Sequence, residues 1–194
     1  ECRFEQIDDK VLILNGIDNM SYLDIPTKLA ETFTAVDTPS GGGAVATGLA
    51  GAVSTLSYKV TASINGESAA STAFTCTVGK VRGGWNGTSE YVTVTADRET
   101  GAQYYHVYIN DANTSTSGEW EYIGSVRDPG SGGTWSFIDT GLVAPDYTRT
   151  APIADSSAGA KGKRASVING RVFVWGDPDN PREIYYGGDT LGNE

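Results

Sequence analysis

The chain has 194 residues, 39% of them hydrophobic, enough to bury the core of one large β domain or of one domain with a smaller companion. Its 14 Lys and Arg stand against 24 Asp and Glu, and a formal net charge of -10 repels a phosphate backbone, so no nucleic-acid partner is expected. The longest apolar stretches, such as 11–14 and 171–175, fall far short of the roughly 20 residues of a membrane-spanning helix, so no membrane insertion is expected either.

The chain opens on Glu1-Cys2-Arg3, with no apolar signal core behind it, and reads as a piece cut from a longer polypeptide. Cys2 and Cys76 match no zinc-ribbon or redox spacing, and Cys76, within the alternating run 71–78, is expected to be a buried free thiol rather than half of a disulfide. With 25 Gly, 10 Tyr and 4 Trp against a single Met, the composition is that of a β protein rich in turns.

Taken in chain order, Val11 to Leu14 predicts a buried strand closed by the turn former Asn15-Gly16. Tyr22, Leu23 and Ile25 predict a second strand ended by Pro26. Ile25, Leu29, Ala30 and Phe33 have near-helical spacing, which supports at most one helical turn. Pro39-Ser40-Gly41-Gly42-Gly43 reads as a flexible linker or loop before a new domain. Leu56, Tyr58, Val60, Ala62 and Ile64 then alternate with polar residues, and across Asn65-Gly66-Glu67-Ser68 the chain enters a second alternating run, Ala70 to Val78, predicting a hairpin.

A second group of strands follows at 91–96, 103–110, around Trp120 and Tyr122, and at 134–139, with the loop 128–133 before the last. In the strand 103–110, Tyr105, Val107 and Ile109 share one face while Tyr104, His106 and Tyr108 share the other. Residues 144–163 show no periodicity and read as an extended connector. Beyond them, 165–168, 171–176 and 183–186 predict a three-stranded meander, too small to stand alone. Its nearest candidate partner is the strand Val11 to Leu14. The expected layout is therefore N-terminal strands (1–38) pairing with the C-terminal connector and meander (146–194), and a β-sandwich (39–145) inserted between them.

Tyr58-Lys59-Val60-Thr61-Ala62 with Asn65-Gly66-Glu67-Ser68 resembles the closing hairpin of a fibronectin type III domain, and 91–96 with Gly101-Ala102-Gln103-Tyr104-Tyr105-His106-Val107-Tyr108 resembles that family's earlier strands. The order is inverted relative to the family, which implies either parts of two modules or one sandwich in permuted order, the latter favoured because the whole group is about domain length, and the family's core Trp on its second strand is missing near Ala96. More widely, Asn15-Gly16-Ile17-Asp18 before the sandwich and Asn169-Gly170-Arg171-Val172-Phe173-Val174-Trp175-Gly176 through Pro181 after it resemble structural proteins of tailed-bacteriophage virions. The resemblance implies an all-β fold, an Ig- or fibronectin-like sandwich flanked by terminal strands that form a small sheet or part of a larger, propeller-like body. It implies a virion component, most naturally of the tail, whose partners are other virion proteins and copies of itself.

No catalytic, cofactor or metal residue is assigned. His106 is the single histidine and stands in mid-strand without a nucleophile elbow nearby. Asp128, Asp139, Asp177 and Asp179 lie in turn-forming contexts, where Asx residues are favoured for backbone reasons. The turn 177–180 has clustered oxygens but lacks the ligand spacing of a calcium loop. The glycine clusters 41–43 and 83–87 lack the Lys-Ser or Lys-Thr that a phosphate cradle needs. The candidate interaction face is Tyr104, His106, Tyr108, Trp120 and Tyr122, since grouped aromatics anchor protein interfaces or stack on sugars. A receptor- or carbohydrate-binding module is accordingly the alternative to a non-enzymatic structural protein, and a cell-wall hydrolase would need two carboxylates facing each other across a groove.

Overall fold

The structure, a computed structural model, describes residues 2–7, 10–16, 21–32, 35–64, 66–111, 119–153, 155, 157, 162–168, 171–178, 181–182 and 184–186. It is all-β and divides into two compact units, one formed by residues 1–35 and 156–194, the other by 36–155.

The chain begins with an antiparallel four-stranded sheet in sequential order: β1 (Arg3–Ile7), β2 (Lys10–Leu14), β3 (Ser21–Asp24) and β4 (Leu29–Thr32). Strand β2 alternates as its sequence requires, burying Leu12 and Leu14. The helical spacing after Ile25 does not produce a helix. The Asp24 carboxylate accepts the Thr27 N–H at 2.8 Å and the Thr27 hydroxyl at 2.7 Å, Lys28 N–H donates to the Asp24 carbonyl, and Lys28 turns left-handed at φ 58. This side-chain-closed turn sends 29–32 back along β3, leaving Leu29 exposed.

The central unit contains β5 (Gly43–Thr47), β6 (Ser54–Ser63), β7 (Phe74–Val78), a single 3₁₀ turn at Arg82–Gly84, β8 (Tyr91–Asp97), β9 (Tyr104–Asp111), β10 (Glu121–Arg127), β11 (Thr134–Asp139) and β12 (Asp146–Thr150). They form a five-stranded sheet in the order β12-β10-β9-β6-β7 and a three-stranded sheet in the order β11-β8-β5. The inward residues of both, among them Leu56, Tyr58, Val60, Val92, Val94, Tyr105, Val107, Ile109 and Trp135, make one core, with the Tyr105 and Trp135 rings stacked at 4.6 Å.

Three local expectations are revised by these strands. The glycine-rich stretch before residue 44 is a loop rather than a loose linker: Val36 already lies in the core, and Gly42 (φ 87) runs so close to β8 that an added Cβ would stand 2.0 Å from the Thr95 carbonyl oxygen. The stretch read as connector contains β12 on the edge of the larger sheet. The second arm of the 56–78 hairpin is a ladder only from Phe74; before it, Ser68 and Ser71 take the place of a strand. Their backbone N–H groups donate to the carbonyls of Ala62 and Val60, and their hydroxyl oxygens accept the N–H groups of the same two residues at 3.0 Å.

The chain closes with the antiparallel meander β13 (Arg164–Ile168), β14 (Arg171–Trp175) and β15 (Ile184–Tyr186). No ladder joins it to β1–β4 among the described residues. Side chains do the joining: Leu12 and Leu14 share a core with Val172 and Val174, flanked by Tyr22, Ala165 and Val167.

One end of the sandwich is fastened by a buried ionic network. Arg82 and Asp139, 4% and 2% exposed, pair bidentately, Nε to Oδ2 at 2.8 Å and Nη2 to Oδ1 at 2.7 Å. The Tyr58 hydroxyl donates to Oδ2 at 3.0 Å, the Gly141 N–H to Oδ1 at 3.0 Å, and Arg82 Nη1 reaches the Val143 carbonyl at 2.8 Å. The network joins β6, the loop between β7 and β8, the end of β11 and the loop after it. Removing one member would strand its partner's charge in a dry site. Asp139→Ala is expected to destabilise the protein by about 3–5 kcal/mol in denaturant titration. The double change Arg82→Met with Asp139→Leu should cost clearly less, and equal losses would show that the charges are incidental.

Candidate functional site: an aromatic and ionic cluster on the outer face of the larger sheet

The pleat of β9 sends Tyr105, Val107 and Ile109 into the core and Tyr104, His106 and Tyr108 to the opposite face. Register then fixes their neighbours. Across β6, Lys59 lies opposite Tyr108 and Thr61 opposite His106; across β10, Tyr122 lies opposite Tyr108 and Ser125 opposite His106. The Tyr122 ring meets Tyr108 edge-on at 5.8 Å and His106 at 6.0 Å, and Lys59 Nζ stands 4.8 Å from the centre of the Trp120 ring. His106, Tyr108 and Tyr122 thus form one ring cluster, while among the described residues no ring contact ties Tyr104 or Trp120 to it.

Two residues absent from the sequence-based set organise the cluster. Glu67, just past β6, accepts the Tyr108 hydroxyl at 2.6 Å and the Thr61 hydroxyl at 2.8 Å on the same oxygen, Oε2. Its other oxygen pairs with Arg149 of β12, 82 residues away in sequence. On its way the Arg149 guanidinium passes 4.1 Å from the Tyr122 ring centre and 6.0 Å from that of Tyr108.

The electrostatics follow from this crowding. Burial acts to raise the Glu67 carboxyl, but the hydrogen bonds from Tyr108 and Arg149, aided by His106 and Thr61, hold it below the ordinary carboxylate range. Burial, then the Glu67 charge, pushes the Tyr108 phenol up. Burial also pushes the His106 imidazole down, with Glu67 opposing and Arg149 adding to the fall. His106 Nδ1 is buried without a hydrogen-bond partner.

This face is therefore not the open aromatic platform that the sequence suggests. Tyr108 is 0% exposed and its hydroxyl is committed to Glu67; Trp120, Tyr122 and Tyr104 are half-buried. Replacing Tyr108 with Ala would report on folding before it reported on binding.

The turn carboxylates are engaged elsewhere. Asp139 belongs to the buried network, and Asp128 holds Arg98 bidentately at 2.7 and 2.6 Å. Asp177 is buried, while Asp179 lies outside the described residues. Among the described residues, no group of three or more His, Cys, Asp or Glu side chains is placed to hold a metal ion. The glycine cluster 83–87 encloses the buried Trp85, whose indole N–H donates to the Lys80 carbonyl at 3.0 Å. Compared with family models, with curated proteins and with solved structures, the chain matches none.

Tyr108→Phe keeps the ring and deletes the hydroxyl that Glu67 accepts, so a loss of about 1–2 kcal/mol is expected by chemical denaturation. Tyr104→Ala should stay within about 0.5 kcal/mol of the parent. The thiols offer a separate check of packing. Cys2 is exposed, whereas burial, then the Asp139 charge, pushes the half-buried Cys76 thiol up to about 11. In native protein at about pH 8, iodoacetamide should modify Cys2 at least about tenfold faster than Cys76, as read by peptide mass spectrometry.

Proposed function

We propose that the chain is a non-enzymatic structural component of a tailed-bacteriophage virion, most naturally of its tail, acting through contacts with other virion proteins and with copies of itself. The observation that carries this reading is the interrupted layout. The unit built from residues 1–35 and 156–194 has its own core, and a complete sandwich is spliced into the chain between its two halves. That is the arrangement implied by the flanking segments at 15–18 and 169–181.

The strand order adds support for a fibronectin-like sandwich. Immunoglobulin-type sandwiches place strands A, B and E side by side in one sheet and C, F and G in the other. With β5-β8-β11 as A-B-E and β9-β6-β7 as C-F-G, the neighbours agree, and the chain visits them with the F–G hairpin ahead of B and C. The hairpin 54–78 is the segment that resembles the family's closing hairpin. Function by contact also fits the side-chain chemistry, since His106, Glu67, Asp128 and Asp139 are all tied into packing or ion pairs.

Assembly would use sheet edges and outer faces, where an incoming strand or loop gains directional backbone bonds. The test is immuno-electron microscopy of purified particles with antibody raised against residues 36–155. Labelling confined to tails, with the chain present by mass spectrometry, is the expected result; its absence from particles would sink the proposal. The receptor- or glycan-binding alternative rests on Trp120 and Tyr104, the half-buried aromatics at the margins of the face. It requires Trp120→Ala to reduce binding to cells or to a glycan array while leaving the fold unchanged.

A further inference from the structure

Strand β12 is held to its sheet in an unusual way. Its ladder with β10 consists of Glu121 opposite Thr150 and Tyr122 opposite Asp146, with a register shift between them, followed by the Ala151 N–H donating to the Trp120 carbonyl at 2.9 Å. Four of its five residues are exposed, and the fifth is Arg149. The side chain that seats this strand therefore crosses the aromatic face to reach Glu67, passing over Tyr122 and Tyr108.

Below it lies the chain's single histidine. Thr61, the register partner of His106, and Tyr108, two residues along β9, both donate to Glu67 Oε2, which sets that carboxylate beside the imidazole. Other charged or titratable groups around the ring are Lys59 of β6, Tyr104 of β9, Tyr122 and Arg127 of β10, and Arg149 itself.

We propose that Arg149, Glu67 and His106 form a proton-sensitive latch on β12, in which a protonated His106 takes over the Glu67 carboxylate from Arg149 and the strand leaves the sheet edge. The exchange needs only a proton from solvent on the buried ring nitrogen. With β12 in place, burial and the Arg149 charge disfavour the imidazolium; with β12 away, the ring is hydrated and Arg149 is gone, so the open form binds the proton more tightly.

The sign follows. The His106 value is depressed in the closed form and is raised in the open form by the Glu67 carboxylate that Arg149 has released, so the closed form has its full advantage above the open-form value and loses it as pH falls towards the closed-form one. Glu67 is held below the usual carboxylate range, so it stays ionised through this window and remains an acceptor.

Hydrogen–deuterium exchange of the intact chain at about pH 7.5 and about pH 5.5, corrected for intrinsic rates, tests the latch. Peptides covering 146–151 should exchange at least about tenfold faster at the lower pH while the β6 and β9 peptides hold. His106→Gln should keep β12 protected at both values, and Arg149→Gln should expose it at both. Equal protection of β12 in the parent at the two pH values, acid opening that persists in His106→Gln, or full protection in Arg149→Gln would each overturn the proposal. Should His106→Gln fail to fold, the single histidine gives an unambiguous ring resonance in the parent. Its titration midpoint must coincide with that of β12 opening; separated midpoints would overturn the latch.

Discussion

The sandwich depends on how Asp139 is satisfied at the end of β11. A carboxylate almost sealed from water must find donors for both oxygens, and here Arg82, Tyr58 and the Gly141 N–H supply them. Those donors come from one strand of the larger sheet and from the two loops at that end, so satisfying one charge sets the relation of the sheets there. Gly141 shows how tight the fit is: at φ 75, with the Arg82 carbonyl oxygen 2.5 Å from where a Cβ would stand, no other residue fits without strain.

The same device recurs at two other places with decreasing burial. Arg98 grips Asp128 and the Gly132 carbonyl, tying the loop after β8 to the loop after β10. Arg149 grips Glu67, tying an edge strand to the loop after β6. In each pair an arginine meets a carboxylate distant in sequence, through a two-bond fork in the two deeper ones. The deepest pair joins the two sheets, while the shallowest holds only an edge strand. Partial exposure screens the latter, and that is what leaves it open to competition from a neighbouring group.

Alternation made much of this fold legible. Stretches 56–64, 91–96 and 103–110 each became a strand, and in the first and last the alternating large residues face inward as their period requires. Strand β5 escaped because its inward residues, Ala44 and Ala46, are too small to produce a visible period, and β12 escaped because it buries nothing apolar. The spacing of Ile25 and Leu29 yields no more than the single turn it could support, closed by the Lys28 N–H on the Asp24 carbonyl and by the Asp24 side chain, before the chain reverses into β4. The five aromatics of the outer face could be grouped from strand periodicity. Glu67 and Arg149 could not, since no local pattern relates charges 82 residues apart when one lies in a loop and the other in an unrecognised strand.

That gap bears on how such a face should be read. A row of Tyr, His and Tyr along one strand looks the same in sequence whether it is bare or covered. Here the covering costs few residues: one carboxylate accepts two hydroxyls and a guanidinium, and the guanidinium lies over a ring that touches two others. Tyr108 is thereby turned from a contact residue into a supporting one, and the accessible aromatic surface shifts towards Trp120 and Tyr104 at the margins. The border of this face is where β12 ends beside Trp120, whose carbonyl accepts the Ala151 N–H. A partner approaching that border would meet a strand held by a short, shifted ladder, the Ala151 N–H and the Arg149–Glu67 pair, so the covering of the aromatic face and the seating of the edge strand share one ion pair.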